Sequence, residues 1–127
     1  MISSIGVDLV EVSRVLRLYD KFGARFLARA FHPREAARAL ELPRVRLGSF
    51  LAARWAAKEA LHKALRNERL LFPDVEVVSS SSGAPSLLLH NQAAAVQKQK
   101  GLVLHLSLSH EGSCAVGFVV AEAAQLK

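Results

Sequence analysis

The stretch FLAARWAAKEALHKAL, residues 50–65, constrains the fold more than any other. It is rich in Ala and Leu and reads as one long helix, with Ser49 as its N-cap. On such a helix Trp55, Glu59 and Lys63 recur every four residues and share one face. Charges at that spacing usually form a solvated stripe, each pair adding roughly a few tenths of a kcal/mol. This helix is too apolar to lie wholly at a surface. A carboxylate and an ammonium beside an indole therefore call for another reason.

The rest of the chain supplies strands and shorter helices. ISSIGVDLVEV reads as a strand ending near Val10, with Ile5, Val7 and Leu9 on one face and Gly6, Asp8 and Val10 on the other. From Glu11 to Leu42 the pattern is helical in pieces, and Pro33 opens the third piece. FPDVEVV and LLLH read as strands around the loop SSSSGAPS. NQAAAVQKQKG is a helix with Asn91 as N-cap and Gly101 at its end. LVLHLSLS and SCAVGFVVAE finish the chain as strands joined through HEGS, and Leu102, Leu104, Leu106 and Leu108 share a face. The class is α+β, with helices packed on a small, mainly antiparallel sheet. No repeat or linker divides residues 1–127, so a single domain is expected.

Composition narrows the function. Net charge is +6, and between Arg14 and Arg69 there are 14 Lys or Arg against five Asp or Glu. A basic half suits an acidic partner. Nucleic acid lacks support: aromatics make up 6% of the chain, and no zinc-finger spacing or aromatic RNP-like run occurs. The single Cys114 excludes an internal disulfide and reads as a small core residue. No signal peptide and no membrane-spanning run is present, so the cytoplasm, or an organelle such as the mitochondrion, is the expected compartment. A chain of 127 residues gains stability by oligomerising.

Two carboxylates carry the possible chemistry. Asp8 near a strand end and Glu59 on the helix each have a plain reading, a solvated or ion-paired side chain. Should they converge, they offer two oxygen ligands to Mg²⁺, which commonly takes one or two carboxylates and completes its shell with water and substrate phosphates. Lys63, one turn on, then reaches a phosphate oxygen.

IGVDLVEVSRV, RWAAKEALHKAL, FPDVEV with GAPSL, and LSLSHEGSCAVGFVVAEA occur in this order from Ile5 to about Ala123. Together they resemble the short phosphopantetheinyl transferases of the holo-[acyl-carrier-protein] synthase type. The resemblance implies transfer of the 4′-phosphopantetheine arm of coenzyme A to a serine of an acyl carrier protein, with release of adenosine 3′,5′-bisphosphate, in fatty acid biosynthesis. It implies Asp8 and Glu59 as Mg²⁺ ligands and Lys63 beside the CoA phosphates. Gly83 and Pro85 match a loop along CoA, Ser109 and His110 match residues near its nucleotide end, and Arg14 and the basic residues after it match a carrier-docking helix. It also implies a homotrimer with active sites between subunits. The longer sister class has D-x-E where this chain has Asp8-Leu9-Val10.

The residues fit such a reaction. Phosphoryl transfer needs alignment and charge neutralisation more than covalent chemistry, and the carrier brings the nucleophile. Glu59 is the expected base, directly or through a metal-bound water. A rigid apolar helix under Glu59 and Lys63 answers the need for precise placement, and Trp55 reads as packing. Arg14, Arg17, Lys21 and Arg25 form one outward stripe if a single helix carries them, with Val12, Val15, Leu16, Tyr19, Phe22 and Phe26 turned to the core. The chain departs from the family's pattern at RNERLLF, a short connection without the usual glycine-rich turn, and Ser79 to Ser82 receive no role. The rival reading is a non-catalytic basic trimer that binds CoA or a carrier. Asp8, Glu59 and Lys63 together favour the enzyme, because plain binding needs no such set.

Overall fold

The computed structural model describes residues 1–124. Among them the order is β1 (Ile2–Glu11), α1 (Val12–Phe22), α2 (Ala24–Ala30), α3 (Pro33–Glu41), α4 (Arg44–Ala64), a 3₁₀ turn (Phe72–Asp74), β2 (Val75–Ser79), β3 (Pro85–Leu89), α5 (Asn91–Lys100), β4 (Leu102–Glu111) and β5 (Cys114–Ala123). The α+β class is as expected, but the strands divide. β5 runs antiparallel between β1 and β4, while β2 and β3 form a separate antiparallel hairpin.

Helix α4 lies directly on the three-stranded sheet. A Cβ on Gly6 would stand 1.9 Å from the Ala60 carbonyl oxygen, and one on Gly117 would stand 2.6 Å from the Ala56 carbonyl carbon. Strand backbone therefore meets helix backbone. That closeness explains the alanines of the central helix: Ala52, Ala56, Ala57 and Ala60 are fully buried. Any larger side chain would hold the sheet away.

α4 also begins earlier than the sequence suggests, at Arg44 after Pro43. Ser49 is not its cap but an internal residue, and its hydroxyl donates to the Arg46 carbonyl at 3.3 Å. Gly48 lies inside the helix because α1 crosses there; a Cβ would meet Val12 Cγ1 at 2.6 Å and Leu16 Cδ1 at 2.9 Å. Asn91 is likewise not a cap. It opens α5 with φ of 52° and donates its side-chain N–H to Asp74 Oδ1 at 2.9 Å. Gly101 closes that helix as expected, in the left-handed conformation.

The two faces of β1 are used differently. Gly6 and Val10 point inward with half-buried Asp8, while Ile5, Val7 and Leu9 point outward, 55%, 50% and 69% exposed. Phe118 of β5, the register partner of Val7, joins them on this outer face. Cys114 is half-buried at the first position of β5, not in the core. Phe22, expected inside, is exposed.

Candidate active site

Asp8 and Lys63 meet where β1 crosses α4. Lys63 Nζ donates to Asp8 Oδ1 at 3.0 Å and to the Val7 carbonyl at 3.0 Å. Gly6 contacts the helix at Ala60, and Gly117, opposite Asp8 in the ladder, contacts it at Ala56. The strand segment bearing Asp8 therefore crosses at the level of Glu59, which is half-buried one turn before Lys63.

A cleft of about 500 Å³ opens elsewhere, between α4 and the β2–β3 hairpin. Arg46, Phe50 and Arg54 line its helical wall, Ser79 and Pro85 the hairpin wall, and His110 its β4 end. The Arg54 guanidinium stacks 3.7 Å above the Phe50 ring. Burial pulls its pKa down and nearby Glu35 opposes the shift, but a guanidinium keeps its proton in proteins. This cleft suits an anionic ligand that also carries a flat or apolar part.

Of the residues expected to bind CoA, Pro85 and His110 line this cleft, and Gly83 lies in the hairpin turn at φ of 86°, its N–H donating to Ser80 O at 2.9 Å. His110 belongs to β4 rather than to the connecting turn. Ser109 lines a smaller hollow at the sheet edge with Leu9 and Cys114. Asp8, Glu59 and Lys63 do not line the cleft. The chain thus presents the expected residues in two separate places. Arg46, Phe50, Arg54 and Ser79 escaped the sequence reading. The first three recur every four residues, a signal visible once the helix starts at Arg44.

Behind the cleft lies a buried polar network. Glu35 and Lys58 are 3% and 1% exposed and form an ion pair of 2.7 Å. Beside them Arg34 forks Glu76, Nε to Oε2 at 2.8 Å and Nη2 to Oε1 at 2.6 Å. His90 Nε2 lies 2.9 Å from Glu76 Oε1. His32, Glu76 and His90 hold three ligand atoms within 4.8 Å of one another. Arg34 already forks both Glu76 oxygens, and His32 Nδ1 accepts the Arg34 backbone N–H at 3.0 Å. The two imidazoles stack with their ring centroids 4.5 Å apart. The cluster is a clamp between α3, β2 and α5.

The basic stripe is split. Arg14, Arg17 and Lys21 lie exposed on α1, which ends before Gly23 at φ of 55°, and Arg25 begins a new run on α2. Between the helices Leu18, Phe22, Phe26 and Trp55 line a hollow of about 220 Å³, rimmed by Arg25 and Arg29. Trp55 is a packing residue, as expected, stacked on Phe26 at 5.5 Å.

Comparison with known proteins agrees with this architecture. The model of the 4′-phosphopantetheinyl transferase superfamily matches residues 4–117. The chain belongs to that superfamily, in its holo-[acyl-carrier-protein] synthase branch. It is 39% identical over 127 residues to the holo-[acyl-carrier-protein] synthase of Halothermothrix orenii, covering 96% of this chain and 98% of the relative. The crystal structure of the Neisseria meningitidis enzyme superposes with a TM-score of 0.87 at 31% identity, covering 96% of this chain and 99% of the other. That of the Bacillus anthracis enzyme, in complex with CoA (3′,5′-ADP), gives 0.80 at 33% identity, covering 98% and 99%.

Proposed function

We propose that the chain transfers the 4′-phosphopantetheine arm of coenzyme A to a serine of an apo-acyl carrier protein, in fatty acid biosynthesis. The observation that carries this reading is the Asp8–Lys63 contact, a carboxylate already facing a cation at 3.0 Å, on a chain that also carries a cleft with two arginines.

The residues suit Mg²⁺. Asp8 and Glu59 offer hard oxygen donors, and the Lys63 ammonium bonded to Asp8 supports a site that favours positive charge. Bound there, Mg²⁺ supplies charge neutralisation on the CoA pyrophosphate. Lys63 turns to a phosphate oxygen and aligns the β-phosphorus. Glu59 accepts the proton of the carrier serine as its Oγ bonds to that phosphorus. The anhydride bond to the α-phosphate breaks, and adenosine 3′,5′-bisphosphate leaves. Arg46 and Arg54 hold the phosphorylated nucleotide end in the cleft, with Pro85, Gly83, Ser109 and His110 along its path.

The two-part site supports a homotrimer that closes each active site between subunits. The outward apolar face of Ile5, Val7, Leu9 and Phe118 is the surface we assign to that assembly. Arg14, Arg17, Lys21 and Arg25 steer the acidic carrier, and the hollow over Trp55 accepts an apolar side chain from it. No helix among the described residues is long and apolar enough to cross a membrane. Relatives such as the Halothermothrix orenii and Nitratidesulfovibrio vulgaris synthases are bacterial, and we read the enzyme as cytoplasmic. The test is mass spectrometry of an apo-carrier incubated with the protein, CoA and Mg²⁺. The carrier should gain the mass of one phosphopantetheine arm. CoA binding without that gain would favour the non-catalytic reading.

A further inference from the structure

The cleft has two walls from different parts of the chain, and one buried carboxylate hydrogen-bonds one of them and lies within 4.0 Å of a guanidinium on the other. Glu35 projects from α3, a helix that contributes neither wall. Its Oε1 accepts from Lys58 Nζ at 2.7 Å and from the His32 N–H at 2.9 Å. Its Oε2 accepts from the Val77 N–H at 3.0 Å and lies 4.0 Å from Arg54 Nε. Val77 lines the hairpin side of the cleft and Arg54 the helical side. Lys58, one turn beyond Arg54, also donates to the Phe72 carbonyl at 3.0 Å and to the Val75 carbonyl, where the chain enters β2.

A buried ion pair is a poor source of stability, since removing two charges from water offsets most of their attraction. Well-packed apolar residues would hold the core as well. They would not fix a backbone N–H on one wall and a guanidinium on the other at set distances from a single group. Nor is the pair needed for solvation, because Lys58 is 1% exposed.

We propose that Glu35, with Lys58 as its counter-ion, is a positioning residue for coenzyme A: it fixes the separation of α4 and β2 across the cleft and orients Arg54 toward the ligand's phosphates. The proposal rests on the reading of this cleft as the CoA site. It assigns Glu35 no contact with CoA and no part in proton transfer. Its signature is therefore a change in CoA affinity at nearly constant turnover.

The experiment compares three variants by steady-state kinetics with an apo-carrier, and by calorimetric titration of the Mg²⁺-loaded protein with adenosine 3′,5′-bisphosphate. Arg46→Ala removes a cation from the cleft wall without touching Glu35, and it should raise the KM for CoA. Glu35→Gln/Lys58→Met removes both members of the 2.7 Å pair together and leaves Arg54 without its neighbouring carboxylate. It should raise the KM for CoA and the Kd for the bisphosphate about tenfold, with kcat within about twofold and the carrier KM unchanged, as expected for a small misplacement of binding groups. Glu35→Asp keeps the pair but shortens its reach, and should give the same split at smaller amplitude, about threefold. It also serves should the double variant fail to fold. A KM for CoA unchanged in the Glu35 variants but raised in Arg46→Ala would overturn the positioning role alone. An unchanged KM in Arg46→Ala would remove the cleft from CoA binding, and the proposal with it.

Discussion

Lys63 and Asp8 join across the seam between α4 and β1, Nζ to Oδ1 at 3.0 Å, although 55 positions separate them in the chain. Both are partly open to solvent, so the pair adds little to stability, about 0–1 kcal/mol. Its significance is electrostatic. Asp8→Asn should melt within a few degrees of the parent protein yet lose about two orders of magnitude in turnover, as when one preorganised electrostatic partner is removed. Raising Mg²⁺ should restore part of that loss by mass action. Unchanged turnover at low Mg²⁺ would exclude Asp8 as a ligand.

Carrier docking should be separable from CoA binding. Arg14 stands exposed on α1 and does not line the cleft. Arg14→Glu should raise the KM for the carrier by about tenfold and leave that for CoA unchanged, because charge on a rim changes encounter more than contact. Rising salt should depress parent turnover at limiting carrier, since exposed charges are screened within about 10 Å at 0.1 M. An equal weakening of both substrates would assign Arg14 to the nucleotide instead.

Acid should loosen the clamp around Glu76 in two stages. Arg34's bidentate hydrogen bonds hold the Glu76 carboxyl down at about 2, against an ordinary 4.5. A carboxylate depressed by folding stabilises the protein above its unfolded pKa, and that contribution fades as pH falls from about 4.5 toward 2. Burial depresses His32 below its ordinary 6.5, so the native state resists the proton that the unfolded chain accepts, and stability starts to decline as pH drops through 6.5. Thermal melts across pH should show a shallow loss first and a steeper one later. Glu76→Gln should flatten the steeper arm, and His32→Asn, which keeps a capping side chain, the shallow one. A Glu76→Gln protein with the parent's acid arm would show that the fork does not set it.

The proposed assembly should be open to interruption from the outer face of the sheet. Phe118→Glu puts a charge among Ile5, Val7 and Leu9, without touching Asp8, Glu59 or Lys63. Sedimentation should then show monomers, the dependence of melting on protein concentration should vanish, and activity should be lost. A fully active monomer would contradict the shared site.

Much of this architecture is legible in the sequence where one period dominates. The alternation of Leu102 to Leu108 and the closing Gly101 mark β4 and the end of α5. The first turns of α4 were hidden because Gly48 and Ser49 look like a break, yet the glycine is there to let α1 pass. The same break conceals Arg46, since Phe50 and Arg54 align with it only on a continuous helix. The outward face of β1 was undetermined for a different reason. Alternation separates two faces, but it does not tell which one meets the helix when glycine lines the inner side. Glu35 and Lys58 gave no sign of their pairing, because contact between α3 and α4 depends on tertiary packing and not on spacing.

Gly6 and Gly117 lend the site a vulnerability with no charged residue in it. A methyl at position 6 would need the space of the Ala60 oxygen, 1.9 Å away, and would lever β1 off the helix. Asp8 rides on that strand two residues further along. The reach of its carboxylate toward α4 is thus calibrated by hydrogen atoms where other residues carry carbon. Catalytic tolerance to mutation should be narrowest at these two chemically inert positions, and a stabilisation campaign that replaces glycine with alanine would disarm the enzyme while leaving every reactive group intact.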